Sequence, residues 1–147
     1  MEVSIWFFVV FALIWIAGSV TQALFLIAPK LHHKLGMTED SALNPEFRWF
    51  LLDEKAIAIA DMTHLVSGAA FIWLALLGSQ AAPIFGIYNS ACYVYIGVLA
   101  ISRWNLFGKN QLSPISKGQL PVYMAYMAVL LAFGLYGLFY LWELARL

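Results

Sequence analysis

The sequence predicts an all-α membrane protein: four transmembrane helices in an up-down bundle, with both termini on the non-cytoplasmic side. Three observations carry this: a depleted charge content, four long apolar runs, and basic residues gathered on one side of those runs. Hydrophobic residues make up 63% of the chain and charged residues 11%. A soluble domain usually carries about 25% charged residues, so lipid must cover much of this surface. The 147 residues allow one domain, spanning 1–147, and no second module.

A spanning helix needs about 20 mostly apolar residues. The runs predict helices over 5–28, 45–78, 84–104 and 120–143. They are continuous rather than alternating, which excludes a β-barrel reading. The first starts at Ile5 and stops at Pro29-Lys30. It lacks a basic leader and exceeds a signal peptide's apolar run, so it is expected to be retained. Asn44-Pro45-Glu46 supplies the second helix with an N-cap, a proline at the first helical position and an acid in the first turn. From Pro45 to Gly78 is roughly 50 Å, against a hydrocarbon core of roughly 30 Å. Its first two or three turns are therefore expected to stand out of the membrane. Pro83 and Pro121 are expected to open the third and fourth helices. The short link from Gly78 to Pro83 makes helices two and three antiparallel neighbours.

Lys30, Lys34, Arg48, Lys55, Arg103, Lys109 and Lys117 fall on one side of the spans, and only Arg146 on the other. By the positive-inside rule, loops 29–48 and 103–119 are cytoplasmic, in a plasma or inner membrane. Trp6 and Trp142 fit one interfacial belt, Trp49 and Trp104 the opposite one.

Ionisable groups within a membrane span are costly, and each is a functional hypothesis. The second helix holds the one strong cluster. Asp53, Glu54, Asp61 and His64 fall within about 100° of arc. Asp61 and His64 are three residues apart, so their side chains can meet. A carboxylate beside an imidazole suits a proton relay, ligand binding or metal ligation. Two donors are few for a metal, since a closed site usually has three or four. The bland alternative is a buried pair that only locks the helix against a neighbour. Ala56, Ala60, His64 and Gly68 recur at steps of four, a pattern that lets another helix approach closely.

The third helix offers Asn89, Tyr93 and Arg103. Arg103 can reach the level of Asp53 and Glu54, either as an interhelical ion pair or as a clamp for an anionic substrate. The first helix carries a mild polar seam of Trp15, Gly18, Ser19 and Gln22. The fourth carries Tyr123, Tyr126, Met127, Tyr136 and Tyr140, with Gly134 and Gly137, and reads as packing surface, with a quinone or lipid groove as the alternative. Adjacent His32 and His33 point about 100° apart on a helix, a poor chelate, and read as a solvated basic patch. Cys92, the one cysteine, reads as a small buried thiol. Gly-rich phosphate loops, HExxH, Cys-x-x-Cys and a nucleophile elbow are absent from the sequence. The zero net charge and the lack of a basic tail imply no nucleic-acid partner. The sequence leaves the cofactor open.

With Pro45-Glu46-Phe47 before helix two and Arg103 ending helix three, the layout resembles the MAPEG family of glutathione-dependent membrane enzymes and their non-catalytic relatives. That resemblance implies four-helix trimers with a site near the cytoplasmic leaflet. Where the family's second helix carries Arg, Asn and Glu at steps of four and three, this chain has Ile57, Asp61 and His64. Trp104 stands where the family has a tyrosine. The likeness is one of topology, and no membership is assigned on it.

Three functions compete. The first is a small subunit of a larger membrane assembly, partnered by the bilayer and by other subunits or copies of itself. In it, an intramembrane Asp61/His64 site handles protons or binds a ligand. The second is a MAPEG-like enzyme acting on a lipophilic substrate at the cytoplasmic leaflet through Asp61, His64 and Arg103. The third is an oligomeric proton- or cation-coupled carrier; no helix is visibly broken at mid-membrane, as many carrier sites are.

Overall fold

The computed structural model describes residues 3–37, 44–109 and 118–146. Most of these residues are helical, with no strand among them. Helix α1 spans Ile5–Ile27, α2 Pro29–Lys34, α3 Arg48–Leu76, α4 Ala82–Lys109 and α5 Leu120–Ala145. A 3₁₀ turn over Pro45–Phe47 leads into α3. Four segments are long and apolar enough to cross a membrane: Ile5–Ile27, Pro45–Leu76, Ala82–Gly108 and Leu120–Ala145. Their outward faces are apolar. Leu13, Val66, Val98 and Phe139 are each at least half exposed, as a surface solvated by lipid requires. The chain is an integral membrane protein by this composition.

The boundaries differ from the sequence reading in informative ways. The third helix runs to Lys109 rather than 104. Its extra turn is held by protein packing: Phe107 meets Trp49, Phe50 and Trp104 edge-on at 5.3–6.4 Å. The first loop contains α2. Pro83 and Pro121 are the second residues of their helices. Asn44 makes no side-chain cap, so the start of the second span rests on Pro45 and the 3₁₀ turn. Gly36 and Gly78, at φ +73° and +65°, end α2 and α3 in the left-handed conformation that glycine alone adopts without strain. At each, the next residue's N–H reaches back five residues, Met37 to His32 O and Ser79 to Leu74 O. Lys117 and the centre of each long loop lie outside the described residues.

Packing is closest between α4 and α5. A Cβ on Gly134 would fall 2.8 Å from the Ser90 carbonyl oxygen, and one on Gly97 would fall 2.8 Å from Leu131 Cβ. In lipid, helices associate through such close backbone approach rather than through release of water. Contacts between α3 and α4 descend one helix as they climb the other, from Phe71 against Gly86, through Ser67 with Asn89, to Glu54 with Arg103. Helix α1 leans on α3: Trp15 Nε1 donates to the Leu65 carbonyl at 2.9 Å, its ring lying where a Gly68 side chain would be. The expected small-residue stripe therefore works only at its far end. Ala56 and Ala60 are exposed, because a four-residue step advances about 40° around the helix and carries the stripe inward only by His64 and Gly68.

One half of the bundle is filled by rings. Phe7, Phe11, Phe71, Phe133, Tyr93 and Tyr140 interlock there, with Phe11 and Phe71 centroids 4.4 Å apart.

Candidate functional site

The other half is hollow. A cavity of about 470 Å³ lies between α1, α3, α4 and α5, on the side of the bundle that carries the two long loops. Helix α3 supplies Phe50, Leu51, Glu54, Asp61 and His64 to its wall. Asp61 and His64 are one turn apart and buried, at 9% and 6% exposure. Opposite them stand Ala17, Gly18 and Gln22 of α1, Tyr93 and Trp104 of α4, and Tyr126 and Met127 of α5. Such a volume, apolar in most of its wall with a few convergent polar groups, is typical of small-molecule sites.

Asp61 and His64 share the wall without bonding each other. His64 Nδ1 is 4.0 Å from Asp61 Oδ1, beyond hydrogen-bond length. The direct pairing their spacing allows does not form, because each is engaged elsewhere. Asp61 Oδ2 accepts from Gln22 Nε2 of α1 at 3.1 Å. The His64 ring lies edge-on to Tyr93, centroids 5.9 Å apart. The backbone beneath His64 is fixed from α4: Asn89 Nδ2 donates to the His64 carbonyl at 2.5 Å and to Ser67 Oγ at 3.0 Å. A helix carbonyl has a second lone pair free for such a bond. Asn89 is fully buried and lies behind the cavity wall rather than on it.

Arg103, Asp53 and Glu54 form a separate charged cluster at the edge of the hollow half. The Arg103 guanidinium donates to Glu54 through one nitrogen and to Asp53 through the other. The same group lies 5.2 Å from the Phe50 and Phe107 ring centres and 5.9 Å from that of Trp104. A planar guanidinium accepts both kinds of contact at once. Of this trio, only Glu54 reaches the cavity wall. The interhelical ion pair expected of Arg103 is thus present, made through two of the guanidinium's five N–H donors.

Other expectations are corrected. The solvated patch expected of His32 and His33 does not form at His32, which is 5% exposed and lines the cavity, its ring 5.2 Å from Phe25. The 100° between adjacent residues is the reason: with α2 folded against α1, one imidazole must turn inward. Burial lowers the His32 pKa from its usual 6.5. Cys92 is half-buried rather than buried. Tyr123, Tyr126 and Met127, read as packing surface, line the cavity instead. Gln22 is the residue whose importance the sequence understated. Its spacing from Trp15 and Gly18 on one face of α1 was the available signal, but nothing in the chain pairs it with Asp61 until α1 and α3 pack. Among the described residues, no three of His, Cys, Asp or Glu converge as a metal site would need. Comparison with known families, with characterised proteins and with solved structures finds no match to this chain.

Proposed function

We propose that this chain is a small membrane protein that binds an amphipathic ligand inside its bundle, with Asp61 and His64 as the polar end of the site. The observation that supports this best is the cavity, which sets two ionisable side chains of α3 against apolar and aromatic walls. Direct proton transfer between Asp61 and His64 is less well supported, given their 4.0 Å separation. The ligand's apolar part would enter sideways from the bilayer. Helices α1 and α5 meet at the filled end, where Phe7 lies against Phe133 and Tyr140, and farther along the cavity lies between Ala17, Thr21 and Tyr126, which remain exposed.

The topology belongs to the same proposal. The four spans cross alternately, with the loops 29–48 and 103–119 on the cytoplasmic side and both termini opposite. The site then opens in the cytoplasmic half. The filled aromatic half weighs against a carrier, since Phe11, Phe71 and Leu141 leave no passage between the helices there. A membrane enzyme acting on a lipophilic substrate is the second reading. It is favoured by His64 and Asp61 sharing one cavity with Glu54, three titratable groups that could face a bound molecule. Membership of a larger assembly, with other subunits or with copies of itself, is proposed alongside either reading.

The test is direct. Gly18 lines the cavity, and a Cβ there meets nothing within 4 Å, so Gly18→Leu should occupy the ligand's space without disturbing the fold. Protein purified in lipid nanodiscs is extracted with organic solvent, and co-purifying small molecules are identified by mass spectrometry. A molecule present in the parent chain and depleted in both Gly18→Leu and His64→Ala supports the proposal. Equal recovery from all three chains would falsify it. Native mass spectrometry of the same discs reads the assembly.

A further inference from the structure

We infer that the cavity is built for a positively charged amphiphile, a long-chain amine, with Asp61 as its counter-ion. This rests on the ligand-binding reading above and adds the chemical class of the ligand.

The argument begins with charge. Three acidic side chains point from α3 toward α1 and α4. Asp53 and Glu54 share the single positive charge of Arg103. Asp61 has no such match. Among the described residues its polar contacts are the neutral amide of Gln22 at 3.1 Å and the His64 imidazole at 4.0 Å. A carboxylate enclosed by apolar walls needs a cation or its own proton. The fold places Arg103 two turns away from Asp61 and commits it to Asp53 and Glu54. Among the described residues, the one side chain within 4 Å of Asp61 that can carry a positive charge is then His64, which stands beyond hydrogen-bond length. The cavity leaves the place beside the carboxylate open to a cation from outside the chain.

The walls point the same way. Tyr93, Trp104, Tyr123 and Tyr126 stand around the space that Asp61 faces. Aromatic faces attract ammonium groups, most strongly where water is excluded. Sulfate or phosphate head groups would meet Asp61 and Glu54 unfavourably.

A second observation is independent of charge. Tyr93 is 3% exposed and lines the cavity, yet its hydroxyl has no hydrogen-bond partner among the described residues. Buried hydroxyls in native proteins are nearly always satisfied. A protonated amine held between α3 and α4 would satisfy it by donating an N–H to the hydroxyl oxygen. The alkyl part would then lie against Ile14, Met127 and Leu130 and leave between α1 and α5.

The experiment compares three probes of equal chain length: tetradecylammonium, tetradecanol and tetradecyl sulfate. Each is titrated into the full chain in phosphatidylcholine nanodiscs, with empty discs as the partition control. Binding is read by native mass spectrometry and by the change in tryptophan fluorescence that is lost in Trp104→Phe. The ammonium probe is expected to bind with one site per chain, at least about tenfold more tightly than the alcohol, and the sulfate more weakly still. Asp61→Asn keeps the shape and the Gln22 contact and removes the charge. It should abolish the preference for ammonium over alcohol, while Gly18→Leu abolishes binding of all three. Tyr93→Phe, which keeps the ring, should weaken the ammonium probe about threefold to tenfold. If alcohol and ammonium bind equally, or Asp61→Asn leaves the preference intact, the charge assignment is wrong while the cavity reading stands. If no probe binds above the empty-disc control and Gly18→Leu matches the parent chain, both are overturned.

Discussion

At one end of the bundle Phe7, Phe11, Phe71 and Phe133 fill the space between the helices. At the other, Phe25, Trp104, Tyr123 and Tyr126 stand around a space of about 470 Å³. Both halves draw on the same kinds of residue, so composition does not make the difference. Helix spacing does. Gly86, Gly134 and Gly137 let α4 approach α3 and α5 closely at the filled end, and Phe7 and Phe11 bring α1 onto the same cluster. Trp15 sits between the halves, in the notch left by Gly68. Beyond it α1 offers Gly18 and Gln22 to the interior rather than a ring, and the helices part around Asp61 and His64. A filled half can anchor the fold while a hollow half holds a ligand, because stability and function draw on different ends of the same helices.

The contrast can be broken most directly at its filled end. Phe11 is fully buried, and Phe11→Ala should lower stability by about 3–5 kcal/mol through lost contacts and the cavity left behind. Tyr126→Ala, at the hollow end and 46% exposed, should cost far less. Thermal unfolding in a single detergent compares the two, and similar losses would erase the distinction between the halves.

Next in size is the charged cluster. Arg103→Ala should cost about 1–3 kcal/mol, below the loss expected of a fully buried pair, because Asp53 and Glu54 keep partial access to the surroundings, at 49% and 32% side-chain exposure. Arg103→Lys should restore less than half of that, since an ammonium lacks the planar fork that reaches two carboxylates while staying close to the Phe50, Trp104 and Phe107 rings. Full recovery with lysine, in the same unfolding assay, would reduce the cluster to simple charge pairing.

Asn89→Ala removes two bonds behind the His64 wall and should cost about 1 kcal/mol. Hydrogen exchange is expected to rise at His64 and Ser67 while the Phe11 region stays protected. Spread of the change into the filled half would show that the two ends are not separable. Gly18→Leu should be neutral, or stabilising by up to about 1 kcal/mol from helix propensity alone, while it displaces a ligand from the hollow half.

The smallest effect is one of pH. Burial holds the His32 pKa below its usual 6.5, so the unfolded chain binds that proton more readily than the folded one. The stability this contributes is present above about pH 6.5 and lost as the pH falls through the lowered folded value. Loosening of α2 from α1, followed by hydrogen exchange between pH 7 and 5, should be absent in His32→Asn.

The four spans, their approximate ends and the concentration of ionisable groups on α3 were all legible in the sequence. They follow from local quantities: apolar run length, proline and glycine punctuation, and the cost of each charge in an apolar stretch. The long first loop hid α2, a helix too short to show a period. Partnership was not legible. Asp61 and His64 are neighbours on one helix, yet the bond Asp61 makes is to Gln22, thirty-nine residues earlier. His32 and His33 are adjacent, yet only His32 lines the cavity. The tyrosines of α5 have the same spacing whether they pack or stand around a void. Periodicity reports which residues share a face of one helix. Only the distances between helices, set by glycine contacts and by where Trp15 lodges, decided that this face would meet a cavity.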